Sequence, residues 1–183
     1  RIEYLQRYMV ASERAHGIAN TIKSCNVLFK YLTGIPHLFR EDIQVVSGLH
    51  LPCENENDFW VKLGGLRILF EVKLDPIRLK LKELKKDLKP LKLMEQWFCE
   101  NNFEYNENMF QAWENIIDLR NASFPYHPTD TRIVKRLRLF GQGFPIQYPR
   151  LCDSVLDKFL ESLEMLQIAL NAAISKTKPE EKH

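Results

Sequence analysis

The chain has 183 residues, 45% hydrophobic and 27% charged, with a formal net charge of +2. This is enough for one compact domain with a full core and leaves little room for a second. The near-neutral balance excludes a polycation that coats DNA. No apolar run approaches the roughly 20 residues of a membrane-spanning helix, and no charged-then-apolar leader opens the sequence. Cys25, Cys53, Cys99 and Cys152 lie far apart with no C-x-x-C pair. Their spacing suggests neither a zinc site nor a disulfide framework, which fits a reducing cytoplasm.

Only seven glycines and several strongly periodic apolar stretches predict a mainly α protein. Tyr4, Tyr8, Ala11, Ala15, Ile18, Ile22, Cys25, Phe29 and Leu32 recur in steps of three and four, a long helix ended by Gly34 and Pro36. The small Ala11 and Ala15 call for a long antiparallel partner at close approach. The segment 41–93 is less regular and reads as an insertion. Leu66, Ile68, Phe70, Val72 and Leu74 alternate with other residues and match a strand. Beyond Asp75-Pro76, Ile77, Leu79 and Leu81 fit the second strand of a small hairpin, while Ile77, Leu81, Leu84 and Leu88 fit a helix equally well. The expectation here is a strand or two, then a helix around 82–89. Pro90 opens another helical piece with Leu91, Met94, Trp97 and Phe98. Helices at 109–120 and about 131–140 follow. The last helix carries Val155, Phe159, Leu163, Leu166, Leu170 and Ala173, with Asp153 or Ser154 as its cap. The terminal helices are expected to pair and, with those at 109–120 and 131–140, to make about four core helices in one domain over 1–175. Residues 176–183 read as a polar tail.

The chemistry concentrates in Asp118-Leu119-Arg120-Asn121-Ala122-Ser123-Phe124-Pro125-Tyr126-His127-Pro128. Arg120 follows Trp113, Ile116 and Ile117 by seven, four and three residues and so continues their apolar face. An inward, permanently charged arginine needs an anion. Arg120-Asn121 with His127, late in a helical bundle, resembles the R-x4-6-H motif of HEPN-domain ribonucleases, here as R-x6-H with the asparagine that often follows the arginine. That resemblance implies a metal-independent endoribonuclease without cofactor, acting as a homodimer with a composite cleft. Such domains serve in toxin, antiviral and stress-response systems, which adds an antitoxin or regulatory protein as an expected partner. It places His127 as the acid or base on the RNA 2′-hydroxyl and leaving oxygen, Arg120 as the clamp on the phosphoryl oxygens, and Asn121 as an orienting group. The hydroxyls of Ser123 and Tyr126 are weaker local candidates. Pro125 and Pro128 bracket the histidine, so the stretch from arginine to histidine cannot be one regular helix. The alternative is a HEPN-like module that binds nucleotide, RNA or a partner protein without cutting. A plainer account stands beside both: Arg120 as a helix C-terminal arginine bonded to a core carboxylate, Asn121 as the residue ending the helix, and His127 as a loop residue.

Arg132, Lys135, Arg136 and Arg138 fall within seven residues with no acid among them, and the first three share a helical face. They are the candidate RNA contacts; a solvated amphipathic surface is the competing reading. The basic stretch from Arg78 to Lys92 reads as a solvated amphipathic surface, with contact to RNA or to a partner protein as the alternative. His16, His37 and His50 lack ligand partners at metal spacing, Gly64-Gly65 reads as a turn, and Asp58 reads as a capping residue.

Overall fold

The computed structural model describes residues 1–69, 74–85 and 87–178. Their order is α1 (Ile2–Thr33), α2 (Ile43–Leu49), α3 (Glu56–Leu69), α4 (Pro90–Glu100), α5 (Glu107–Asn121), α6 (Thr131–Leu139) and α7 (Tyr148–Thr177). The protein is mainly helical, and no strand occurs among the described residues. Side-chain chemistry sets most helix starts. Asp42 accepts from the amides of Gln44 and Val45, Asn106 from Asn108, and Asp130 from Arg132 and Ile133, each meeting donors that a first turn leaves open. At α3 the cap is reciprocal: Asn55 Oδ1 accepts from Asp58 N at 3.0 Å, while Asp58 Oδ2 accepts from Glu54 N at 2.9 Å. Asp58 is thus the capping residue its spacing suggests. α1 stops where Gly34 adopts φ 76°, a conformation that favours glycine.

The two long helices pair, but they run parallel. Arg14 bonds Asp153 at 2.9 Å and Asp157 at 3.1 Å, Gly17 faces Leu160, and Cys25 Sγ donates to Leu163 O at 3.7 Å, so both numbers rise together. The antiparallel expectation fails because equal length and small residues fix closeness, not direction. α5 is the antiparallel neighbour of α7, with Trp113 Nε1 donating to Ser162 Oγ at 2.6 Å and Lys176 donating to Asn102 O. α7 begins at Tyr148, with Pro149 in its first turn, upstream of the expected caps. Asp153 is instead a helical residue whose carboxylate meets Arg14. Inside the core, Asn26 accepts from the amides of Leu38 and Phe39 and donates to Phe39 O, pinning the chain after α1 back onto that helix.

The segment 41–93 departs furthest from its reading. Leu66–Leu69 are the last turn of α3, not a strand, because Phe59, Leu63, Leu66 and Leu69 form a buried helical stripe that happens to end in an alternating pattern. Phe70 to Lys73, the rest of the expected strand, lie outside the described residues. Beyond Asp75 the chain makes successive turns, with Leu79 N bonding Asp75 O and Leu81 N bonding Pro76 O. No helix occupies the described part of 82–89. The amides of Lys82 and Glu83 bond the Glu100 carboxylate instead. Gly64 and Gly65 lie within α3 rather than in a turn. A methyl at Gly65 would sit 3.1 Å from Val45 Cγ1, so the bare backbone lets α2 approach.

Candidate functional site

The site forms where α5 ends. Met109, Phe110, Trp113, Ile116 and Leu119 bury one face of α5, and Arg120 and Asn121 are its last two residues. Arg120 is half-buried. Its Nε is fully enclosed and has no hydrogen-bond acceptor among the described residues. Asn121 is exposed, and Ala122 N closes the helix on Asp118 O at 3.1 Å. The loop is then tied inward by Tyr126, which is buried and donates its hydroxyl to Leu119 O at 2.7 Å. Burial raises the Tyr126 phenol above its ordinary range and the field of Tyr148 adds to this, while the charge of Arg120 acts in the opposite direction.

His127 directly follows the inward Tyr126 and is exposed. Its backbone carbonyl accepts from Asp130 N at 3.0 Å, leading into the cap of α6. Among the described residues no hydrogen bond joins the His127 ring to Arg120 or Asn121. The helix ends before the histidine, as the flanking prolines require. Ser123 is exposed in the same loop, whereas the Tyr126 hydroxyl is committed to Leu119.

The basic helix divides in two. Arg132 Nη2 bonds Asp118 Oδ1 at 2.9 Å, and Arg136 bonds Asp118 Oδ2 through Nε at 2.8 Å and Nη2 at 2.7 Å. Two of the four expected RNA contacts thus lock α6 onto α5. Lys135 and Arg138 are exposed and make no ion pair among the described residues. Asp118 is the residue that sequence reasoning overlooked. Its signal was legible as an acid one turn before the end of α5, facing an Arg132/Arg136 pair spaced four apart.

Three aromatic residues complete the surroundings. The Trp60 ring, from α3, lies 4.6 Å from Phe124 and 5.1 Å from Tyr126. Phe124 is 55% exposed between Asn121 and His127. Trp60 Nε1, like Arg120 Nε, is buried with no acceptor among the described residues. Nothing in the spacing of the sequence joins residue 60 to residue 124; only the docking of α3 does so.

Away from this end, His16 and His50 stack edge to face at 4.6 Å and His50 Nδ1 meets Ser12 Oγ at 2.9 Å, a structural arrangement. Lys62 is buried and donates to Gly48 O at 2.5 Å and Leu51 O at 2.7 Å. Beside it are Cys53 and Cys152, buried and reduced, with Cys53 lowered by its hydrogen bond from Cys152. No group of three or more His, Cys, Asp or Glu side chains placed to hold a metal occurs among the described residues. No described helix is long and apolar enough to cross a membrane. No protein-family model, curated protein or solved structure matches this chain.

Proposed function

We propose that this chain is a HEPN-like, metal-independent endoribonuclease that cleaves RNA by attack of the 2′-hydroxyl on the adjacent phosphate. The observation that carries the reading is Arg120, whose enclosed Nε has no acceptor among the described residues. A desolvated, permanently charged donor without a partner is costly, and an anionic ligand would satisfy it. A phosphodiester supplies paired oxygens matched to a guanidinium fork. His127, exposed seven residues later, is free to take the proton of the 2′-hydroxyl or return one to the leaving 5′-oxygen. Asn121, exposed beside Arg120, offers both a donor and an acceptor to orient the phosphate or the imidazole. Phe124 offers an exposed ring to an unpaired base, backed by Trp60, which favours single-stranded RNA. Lys135 and Arg138 are the basic groups of α6 left for the backbone.

A second reading, a module that binds RNA without cutting, is favoured by one observation: no hydrogen bond fixes the His127 ring beside Arg120 among the described residues. Incubation of mixed single-stranded RNA with the wild type and with folded His127→Ala, in EDTA, separates the two. Cleavage giving 2′,3′-cyclic phosphate ends in the wild type and none in the variant supports the nuclease. Equal RNA binding with no cleavage in either supports the binding module.

A further inference from the structure

The fold places the four cysteines in three settings. Cys99 is exposed. Cys25 is buried in the contact of α1 with α7, donates to Leu163 O at 3.7 Å, and has its thiol pushed up to about 12 by burial. Cys53 and Cys152 are buried against one another. Cys53 stands in the turn between α2 and α3, held there by Arg7, which donates to its carbonyl at 2.6 Å. Its Sγ lies 3.9 Å from Tyr148 O, in the first turn of α7. Cys152 is one turn further along that helix. A helical side chain leans toward the N-terminus of its own helix, so that of Cys152 covers the same turn that Cys53 meets. The two thiols accordingly share a hydrogen bond, with Cys152 donating to Cys53.

Two cations border the pair. The Lys62 ammonium, fixed by Gly48 O and Leu51 O, acts on both sulfurs, and the Arg14 guanidinium acts on Cys152; each favours the thiolate. The bond from Cys152 lowers the Cys53 thiol, against its burial and the charge of Asp58, while the same bond and burial raise Cys152. The pair is thus polarised, with Cys53 the better nucleophile and Cys152 keeping its proton. A groove of about 660 Å³ between α2 and α3 opens beside it, lined by Pro52 and Glu54 on either side of Cys53 in the chain, and by Asp58 and Lys62.

We propose that Cys53 and Cys152 are a peroxide-oxidised thiol pair that closes to a disulfide within the folded chain. The Cys53 sulfur attacks one oxygen of a hydroperoxide, the O–O bond breaks, and the departing oxygen takes the Cys53 proton and leaves as water or an alcohol. Cys53 is then a sulfenic acid. The Cys152 sulfur attacks the Cys53 sulfur, the S–O bond breaks, and that oxygen leaves as water with the Cys152 proton. Two thiols are oxidised to one disulfide and one peroxide is reduced. The new bond ties the α2–α3 turn to the start of α7, where Tyr148 already bonds Glu56 at 3.0 Å and packs on Phe59. Oxidation therefore stiffens the junction of α3 with α7.

The full chain carrying Cys99→Ser, which leaves three thiols, tests this. After hydrogen peroxide at neutral pH and removal of the excess, thiol titration in denaturant is expected to find one, Cys25, and dithiothreitol to restore all three. Peptide mapping should show the segments holding Cys53 and Cys152 joined and lighter by two hydrogens. For so long a closed loop Tm should rise by roughly 5–10 °C. In Cys152→Ala, shown to be folded by circular dichroism, dimedone should trap the Cys53 sulfenic acid; a folded variant giving no adduct overturns Cys53 as the attacking sulfur. The map of the Cys99→Ser chain decides the pairing without that variant. Survival of all three thiols in the folded protein, loss of Cys25 as fast as the pair, or separate oxidation of Cys53 and Cys152 without a link overturns the proposal. A link that forms only in denaturant overturns it as well.

Discussion

Arg14 and Arg120 meet the fold in different ways, and replacing them should have opposite consequences. Arg14 is buried between α1 and α7 and bonded to both Asp153 and Asp157. Arg120 is half-buried, with its Nε enclosed and no acceptor for it among the described residues. In Arg120→Met the apolar stem is kept and the unpaired donor removed. A buried donor without a partner costs about 1–3 kcal/mol, and the part of the guanidinium that still reaches water recovers some of this. The expected change is from neutral to a gain of about 1 kcal/mol, which for a domain of this size moves Tm upward by roughly 2–4 °C. In Arg14→Met, two charge-assisted bonds are lost and two acids one turn apart on α7 are left facing each other. Both aspartates are more than half exposed, so water and salt screen the effect, and the expected loss is about 2 kcal/mol. Paired urea unfolding of the three proteins, with two-state slopes compared, gives the test. A loss above about 1 kcal/mol in Arg120→Met would refute the reasoning, because it would mean that the guanidinium already has a stabilising partner and is not held for a ligand.

Asp118→Asn should loosen α6 by about 1 kcal/mol and release Arg132 and Arg136. If the basic helix meets RNA, binding should then tighten with a steeper salt dependence; an unchanged salt slope by fluorescence anisotropy would dismiss that face. Phe124→Ala, at an exposed position, should leave Tm within about 2 °C but weaken single-stranded RNA by about 1–3 kcal/mol, and equal affinity would remove the stacking role. A thiol reagent should modify Cys99 first in the native protein, since the other three cysteines are buried, and all four in denaturant; rapid labelling of Cys25 would contradict its enclosure. Burial raises the Cys25 thiol to about 12, and burial with the Glu56 contact raises the Tyr148 phenol to about 12. The folded state thus holds protons that the unfolded chain releases from about pH 9 and 10 respectively, so stability from these groups is full below pH 9 and declines toward pH 12. Tyr148→Phe should flatten the fall above pH 10 in a urea series; an identical slope would reject the assignment.

The sequence by itself determined the elements whose apolar residues recur at helical spacing. The face from Met109 to Arg120, the stop at Gly34, the stripe from Val155 to Ala173 and the capping role of Asp58 were all legible because they depend on neighbours within a few residues. The candidate motif was legible for the same reason, as was the end of the helix before His127, which two prolines enforce. Tertiary structure decided the rest. Leu66–Leu69 alternate and also recur as part of a three-and-four stripe, and only the packing of α3 beneath α2 chose helix. The parallel run of α1 beside α7 was hidden because apolar spacing carries no direction; Arg14 meeting Asp153 and Asp157 supplies it. The pairing of Arg132 and Arg136 with Asp118, and the setting of Phe124 against Trp60, join residues far apart in sequence. No local pattern encodes such contacts, because they exist only once burial of the common core has brought those helices together.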